Sequence, residues 1–357
     1  MPLPLIALER LGWDSSWSEA ASAYRDRARP GRVIRVDRGV CTVLTRTGPV
    51  RATLGGEVLD AMAADAADAP TTGDWCLLRS WSDGPVTIEV LLPRRAAVVR
   101  ADAAGTSRGQ VLAANIDLAA VVVGLVPDPN LRRVERLVTL AWQSGAQPLV
   151  VMTKADLVGD ADQVADDVRA VAPGVEVVVC STVTGVGIDR LRGLVGNHGT
   201  LALLGASGHG KSSLTNALHG THVVTALGIR TDGKGRHTSV RRELVPLPSG
   251  GCVIDTPGLR AVGLQEEGGL AAAFPDIEEL AANCRFRDCK HQSEPGCAVL
   301  EAVEAGELAV RRLESWRALE REIAWMATRA DARLRAAQVA KWKQRTKEQR
   351  ARRKSEP

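Results

Sequence analysis

Residues 205–212 read Gly-Ala-Ser-Gly-His-Gly-Lys-Ser, directly after the apolar run Leu201–Leu204. A strand that ends in a glycine-rich turn and opens into a helix has few uses. The glycines let backbone N–H groups converge on phosphate oxygens, and the helix N-terminus adds a favourable dipole. Gly205, Ala206, Ser207, Gly208, His209, Gly210 and Ser213 are therefore expected around nucleotide phosphates. Lys211 would reach the β- and γ-phosphates as a catalytic cation, and Ser212 would ligate Mg²⁺. Such a loop needs a parallel sheet behind it. Strand-like runs occur at Leu118–Val126, Leu149–Met152, Val175–Cys180, Leu201–Leu204 and Cys252–Asp255. Between them Leu131, Val134, Leu137, Val138 and Ala141 share one helical face, with Gly145 as the stop. Val164, Val168 and Val171 repeat the design before Pro173-Gly174. The expected fold class is α/β, with a doubly wound, mostly parallel sheet. In such sheets ligands lie beyond the carboxyl ends of the strands.

Three further motifs fall at strand ends. Asp255-Thr-Pro-Gly258 would supply an Asp to the Mg²⁺ shell and a Gly amide to the γ-phosphate. Thr153-Lys154-Ala-Asp156 follows Leu149–Met152. A carboxylate fits guanine, because it accepts from both the ring N–H and the exocyclic amine. Lys154 would lie over the base. After Val175–Val179 come Cys180, Ser181 and Thr182, whose amides would contact the guanine oxygen. In ordinary GTPases the phosphate loop comes first and the guanine-reading motifs last. Here the guanine-reading pair precedes the phosphate loop, the order of a circular permutation. Close termini make such reopening tolerable. The segment after Asp255–Gly258 then runs straight into the C-terminal region.

Upstream, short β-branched runs with glycine punctuation lie between Gly31 and Pro93 and suit a five-stranded OB-type barrel. Residues 1–30 lack periodicity and are expected to be a flexible extension. Downstream, Cys284, Cys289, His291 and Cys297 offer three thiolates and one imidazole in a compact loop, a closed tetrahedral set suited to one structural Zn²⁺. Leu313, Trp316, Leu319 and Ile323 form a helical apolar stripe after it. The expected divisions are 1–30, a barrel at 31–95, a permuted GTPase domain at 96–265, a zinc-binding helical domain at 266–330 and a basic tail at 331–357. Net charge is only +4 over 357 residues, but Lys341–Lys354 concentrates Lys and Arg around Trp342, a composition that could lie on RNA. Seven cysteines, an odd number with one cluster, read as a reducing compartment and a metal site, not a disulfide framework. No run reaches the ~18 apolar residues of a membrane span, and no secretory leader is evident.

Together these residues resemble the ribosome small-subunit-dependent GTPase A family of bacterial assembly factors, over about residues 31–325. The resemblance includes Ala114-Asn-Ile-Asp117, Gly235-Arg-His-Thr-Ser239, Asp255-Thr-Pro-Gly-Leu-Arg260 and the Cys-Cys-His-Cys spacing. It implies an OB barrel, a permuted GTPase domain, a zinc domain, slow GTP hydrolysis stimulated by the small subunit, and late maturation of that subunit in the cytoplasm. The implied partners are GTP, GDP, the small subunit and its rRNA, reached through barrel, zinc domain and tail, for a monomer with no membrane contact. Thr153 stands where the family usually has Asn, and His209 where a small apolar residue is usual. Ser239 replaces a common Thr, so Thr238 or Ser239 would be the switch Mg²⁺ ligand. Leu259 holds the position where other GTPases place a water-orienting Gln, and an apolar side chain cannot align water. His237 in the switch motif is the candidate to do so. Two other classes compete: an ATP-dependent kinase or motor, which Asp156 opposes, and a non-catalytic RNA adaptor, which Lys211, Ser212 and Asp255 oppose.

Overall fold

The computed structural model describes residues 7–24, 28–100, 109–224, 242–256, 264 and 268–330. Over residues 7–24 it corrects the expectation of a loose extension. A short helical turn at Leu8–Leu11 leads to α1 (Ser15–Ala20), capped by Asp14, whose carboxylate accepts from the Trp17 N–H at 3.0 Å. Leu8, Leu11 and Trp17 are buried, and Trp13 meets Trp75 edge-on at 4.9 Å. The anchoring residues sit in one tight turn and one short helix, so no 3.6-residue period marks them in the sequence.

The next unit is a closed barrel of β1 (Arg29–Asp37), β2 (Val40–Thr45), β3 (Gly48–Leu54), β4 (Trp75–Ser80) and β5 (Val86–Leu91), in the order β1-β2-β3-β5-β4 with β4 returning to β1. This is an OB-type arrangement. Val33, Cys41, Val43, Ala52, Cys76, Leu78 and Ile88 fill the interior. Thr42, Arg51, Arg79 and Thr87 alternate with them and face outward, as the two-residue period requires. Between β3 and β4 lies the helix α2 (Gly56–Ala64), which no strong periodicity marks in the sequence. Arg32 locks the barrel to its neighbours. Its buried guanidinium donates to the carbonyls of Leu11, Gly73 and Asn115, and it lies 5.1 Å from the Trp75 ring centroid.

A two-stranded ribbon, β6 (Ala97–Arg100) and β7 (Gln110–Ala114), leads into the main sheet. Its elements are β8 (Leu118–Gly124), α3 (Leu131–Gln143), β9 (Gln147–Thr153), α4 (Ala161–Val171), β10 (Glu176–Val179), α5 (Ile188–Val195), β11 (Thr200–Leu204), α6 (Lys211–His219), β12 (Glu243–Pro246) and β13 (Cys252–Asp255). The six strands run β10-β9-β8-β11-β13-β12, all neighbours parallel except β12 with β13. Both faces are covered. Ala119, Val121 and Val123 enter one core cluster, and Ala120 and Val122 the other. Asn130 caps α3 through the Arg133 N–H, and Asp160 caps α4 through the Gln163 N–H.

Among the described residues four helices follow: α7 (Gly268–Ala273), α8 (Pro275–Ala281), α9 (Ala298–Glu304) and α10 (Val310–Ala330). Leu313, Trp316, Leu319 and Ile323 of α10 are buried in the core cluster that also holds Val134 and Val138 of α3. Charged pairs run along that seam: Arg132–Glu314 at 2.5 Å and Arg136–Glu322 at 2.7 Å. At its centre Glu135, fully buried, takes Arg311 and Arg312 at 3.0 Å each, and Arg312 also reaches Asp276 at 2.8 Å. Arg312 spends its remaining donors on the Val171 and Ala273 carbonyls.

Candidate functional site

The sequence motifs leave the carboxyl ends of β9, β10, β11 and β13 and meet along one edge of the sheet. The glycine-rich loop lies between β11, central in the sheet, and α6. Gly205 has φ 154°, and a Cβ there would sit 2.5 Å from the Val122 carbonyl oxygen, so a side chain is excluded. Gly208 and Gly210 have φ 83° and 84°, which turn the backbone into the helix start.

Lys211 is buried beneath this loop. Its Nζ donates to the Gly205 and Ala206 carbonyls at 3.1 and 2.8 Å. Burial lowers its pKa, and Asp255 opposes that effect. Ser212 Oγ donates to Asp255 Oδ2 at 2.7 Å across the gap between α6 and β13. Burial raises the Asp255 pKa, against the Ser212 hydrogen bond and the Lys211 charge. A hydroxyl and a carboxylate oxygen this close can both enter one octahedral shell of a small divalent cation. Thr256, fully buried, anchors the end of β13 by donating to the Leu203 carbonyl.

Thr153 and Asp156 approach the loop from β9. Thr153 Oγ1 donates to the His209 carbonyl at 2.8 Å, tying the end of β9 to the glycine-rich loop. Lys154 adopts φ 66°, and its Nζ donates to the Val126 carbonyl at 3.4 Å. Asp156 Oδ1 accepts from Ser181 Oγ at 2.6 Å, and Ser181 Oγ in turn accepts from the Val183 and Thr184 amides. This chain of bonds fixes the turn after β10, which includes Thr182, against the carboxylate. His209 lays its ring on the end of β8, with Nδ1 3.3 Å from the Gly124 nitrogen and 3.2 Å from the Val122 oxygen. Burial, then the charges of Arg133, Lys211 and Lys154, lower its pKa despite the Val122 contact. Neither the Thr153 tie nor the His209 contact is legible in the sequence, since each joins segments far apart in the chain. His237, Thr238, Ser239, Gly258 and Leu259 lie outside the described residues, as does the tail.

The second cluster lies between α8 and α9. Cys284 follows the end of α8, and Cys297 is the residue before α9 begins. Cys284, Cys289, His291 and Cys297 bring their ligand atoms within 4.8 Å of one another. His291 has φ 52°, is buried, and packs edge-on against Trp316 of α10 at 5.5 Å. Glu294 shapes the loop by accepting from the Lys290, Gln292 and Ser293 amides, which hold its pKa down at about 2. Three sulfurs and one imidazole, converging without a gap, are a donor set for Zn²⁺ in a closed site.

Known proteins share this architecture. The family model described as RsgA GTPase matches residues 91–265. A protein of Streptomyces coelicolor named small ribosomal subunit biogenesis GTPase RsgA is 48% identical over 336 residues, covering 92% of this chain and 90% of its own. A relative of the same name from Syntrophotalea carbinolica is 40% identical and covers 95% of this chain and 94% of its own. Among solved structures, YjeQ from Thermotoga maritima superimposes with a TM-score of 0.61 at 26% identity, covering 83% of this chain and 98% of its own. The structure titled YloQ, a circularly permuted GTPase, gives 0.57 at 25% identity, with 83% and 95% covered. With its barrel, permuted sheet and Cys₃His cluster, the chain is a GTP-hydrolysing enzyme and belongs to the RsgA GTPase family.

Proposed function

We propose that this GTPase acts in biogenesis of the small ribosomal subunit, binding GTP across the ends of β9, β10, β11 and β13. The observation that carries the site is the Ser212–Asp255 pair beside the buried Lys211, with the Asp156–Ser181 pair on the same sheet edge. The relatives' names carry the ribosomal assignment.

In this reading the amides of 206–213 cradle the phosphates. Lys211 exchanges the loop carbonyls for phosphate oxygens, its proton favoured by the new negative charge. Ser212 and Asp255 hold Mg²⁺, which would supply charge neutralisation at the β- and γ-phosphates. The free oxygen of Asp156 accepts from the guanine ring N–H and amine, while Ser181 keeps the carboxylate oriented. Thr182 borders the base, and Lys154 covers its face. Thr153 serves the loop rather than the base, a role for which its hydroxyl is long enough. His237 orients the attacking water, and Thr238 or Ser239 together with Gly258 answers to the γ-phosphate. Cys284, Cys289, His291 and Cys297 hold a structural Zn²⁺. Barrel, zinc loop and tail contact rRNA, and the chain works as a monomer in the cytoplasm; none of the described helices is long and apolar enough to cross a membrane.

Sedimentation with purified small subunits tests this assignment. The chain should pellet with subunits in the presence of a non-hydrolysable GTP analogue and at least tenfold less with GDP. Equal recovery with either nucleotide would detach the nucleotide state from ribosome binding, and no recovery with either would remove the ribosome as a partner.

A further inference from the structure

The barrel is strongly polarised. Residues 29–54 carry six arginines and one carboxylate, whereas residues 55–68, which include α2, carry four carboxylates and no cation. The arginine side bears an outward row that crosses the barrel through paired positions. Arg35 of β1 faces Thr42, Thr42 faces Arg51, and two residues along β3 Thr53 faces Thr87 of β5, which faces Arg79 of β4. Asp37 bridges Arg35 at 3.2 Å and Arg51 at 2.8 Å, which orders both guanidiniums and leaves them with net positive charge.

Trp81 stands at the end of that row, just past β4. Aromatics make up only 3% of this chain, yet this indole is 45% exposed. Its orientation is fixed. The indole N–H donates to Thr87 Oγ1 at 2.9 Å, and Thr87 donates to Glu89. The Arg79 guanidinium lies 3.8 Å from the ring centroid. Among the described residues no carboxylate pairs with Arg79, so its donors remain available to an incoming group. An ordered, exposed indole with a guanidinium on it, beside a row of arginines, is what an unpaired nucleobase recognises: stacking surface for the base and cations for the flanking phosphates.

We propose that Trp81 and Arg79 form a stacking platform for an unpaired RNA base, with Arg51 and Arg35 holding adjacent phosphates. This rests on the ribosomal reading above and assigns its barrel contact to particular side chains. Charge decides between RNA and an apolar protein partner. The aromatic surface is small, and the six arginines of residues 29–54 together with Arg79 outnumber Asp37, Asp83 and Glu89 around it, which favours a polyanion with flat bases.

The test uses the full chain with two partners, a single-stranded adenine-rich RNA oligonucleotide and purified small subunits, over a series of salt concentrations. Trp81→Leu should weaken oligonucleotide binding about tenfold, within the roughly 5- to 100-fold that one stacked base is worth. Its salt slope should stay unchanged. Trp81→Phe lacks the indole N–H but keeps a ring and should recover most of the affinity. Arg51→Ala should instead lower the slope by about one. GTP affinity, measured in parallel, should be equal in all variants and reports intact folding. If Trp81→Leu binds RNA and subunits as the parent does, the platform does not exist. A loss on subunits with none on RNA assigns the surface to a protein and also overturns the proposal. A parent chain that binds neither partner overturns the ribosomal reading itself.

Discussion

Asp156 shows how much one carboxylate is asked to do. Its Oδ1 is already engaged by Ser181 at 2.6 Å, so the proposed contacts to the base fall to the remaining lone pairs. Asp156→Asn replaces an acceptor with an amide whose N–H₂ opposes the guanine N–H. Competition binding should show GTP affinity falling about 100-fold and xanthosine triphosphate gaining, in keeping with the cost of unpaired polar groups in a site. Unchanged GTP affinity would mean that Asp156 does not face the base. Thr153 and His209 illustrate what the sequence hides at this scale. The structure gives each a local partner: Thr153 the His209 carbonyl, His209 the end of β8. Their motifs announce the chemistry of the loop, but a contact between residues 153 and 209 depends on sheet order, which no short motif encodes.

At the scale of elements, α3 and α10 form the joint between the nucleotide-binding sheet and the helices around the cysteine cluster. Arg311 and Arg312 look like solvated charge in the sequence, yet Arg312 is buried against Glu135 and Asp276. Removing one member of such a buried set typically costs about 3–5 kcal/mol, because the other is left uncompensated. The apolar stripe of α10 is readable in sequence, whereas the buried charges beside it are not, since hydropathy alone marks Glu and Arg as exposed. The cysteine loop is readable because its ligands are near neighbours along the chain. Its structural contribution is local: it closes α8 onto α9 and seats His291 on Trp316. Cys289→Ser should therefore reduce bound zinc from about one equivalent and loosen protease protection of residues 268–330, while GTP affinity changes less than threefold. Full protection and a folded C-terminal region in metal-free protein would show that the cluster binds no structural metal.

For the whole molecule, the order of motifs along the chain is the most informative single feature. Strand-end motifs in permuted order already imply the parallel sheet, and the five barrel strands are visible by their two-residue alternation. What escapes is the glue between units: the N-terminal turn and α1, the ribbon β6–β7, α2 and the edge strand β12. These are short, and their apolar residues are shared with distant neighbours, so no period develops within them. Arg32, which holds the N-terminal segment, barrel and main sheet together, reads in sequence as one more surface arginine. In sequence β13 is followed by α7 after residues 256–267, so the nucleotide-binding sheet and the C-terminal helices adjoin along the chain. The proposed function gives the ribosomal subunit the part of activator, since an apolar side chain such as that of Leu259 cannot align water. The direct measurement is steady-state GTP hydrolysis with and without purified small subunits, for the parent and for His237→Ala. The free parent should turn over slowly and be accelerated at least tenfold by saturating subunits, a small part of the roughly 10³- to 10⁵-fold seen when GTPases are activated in trans. His237→Ala should bind GTP and subunits yet lose most of that acceleration. A parent whose rate is the same with and without subunits would contradict the proposed role of the ribosome as activator.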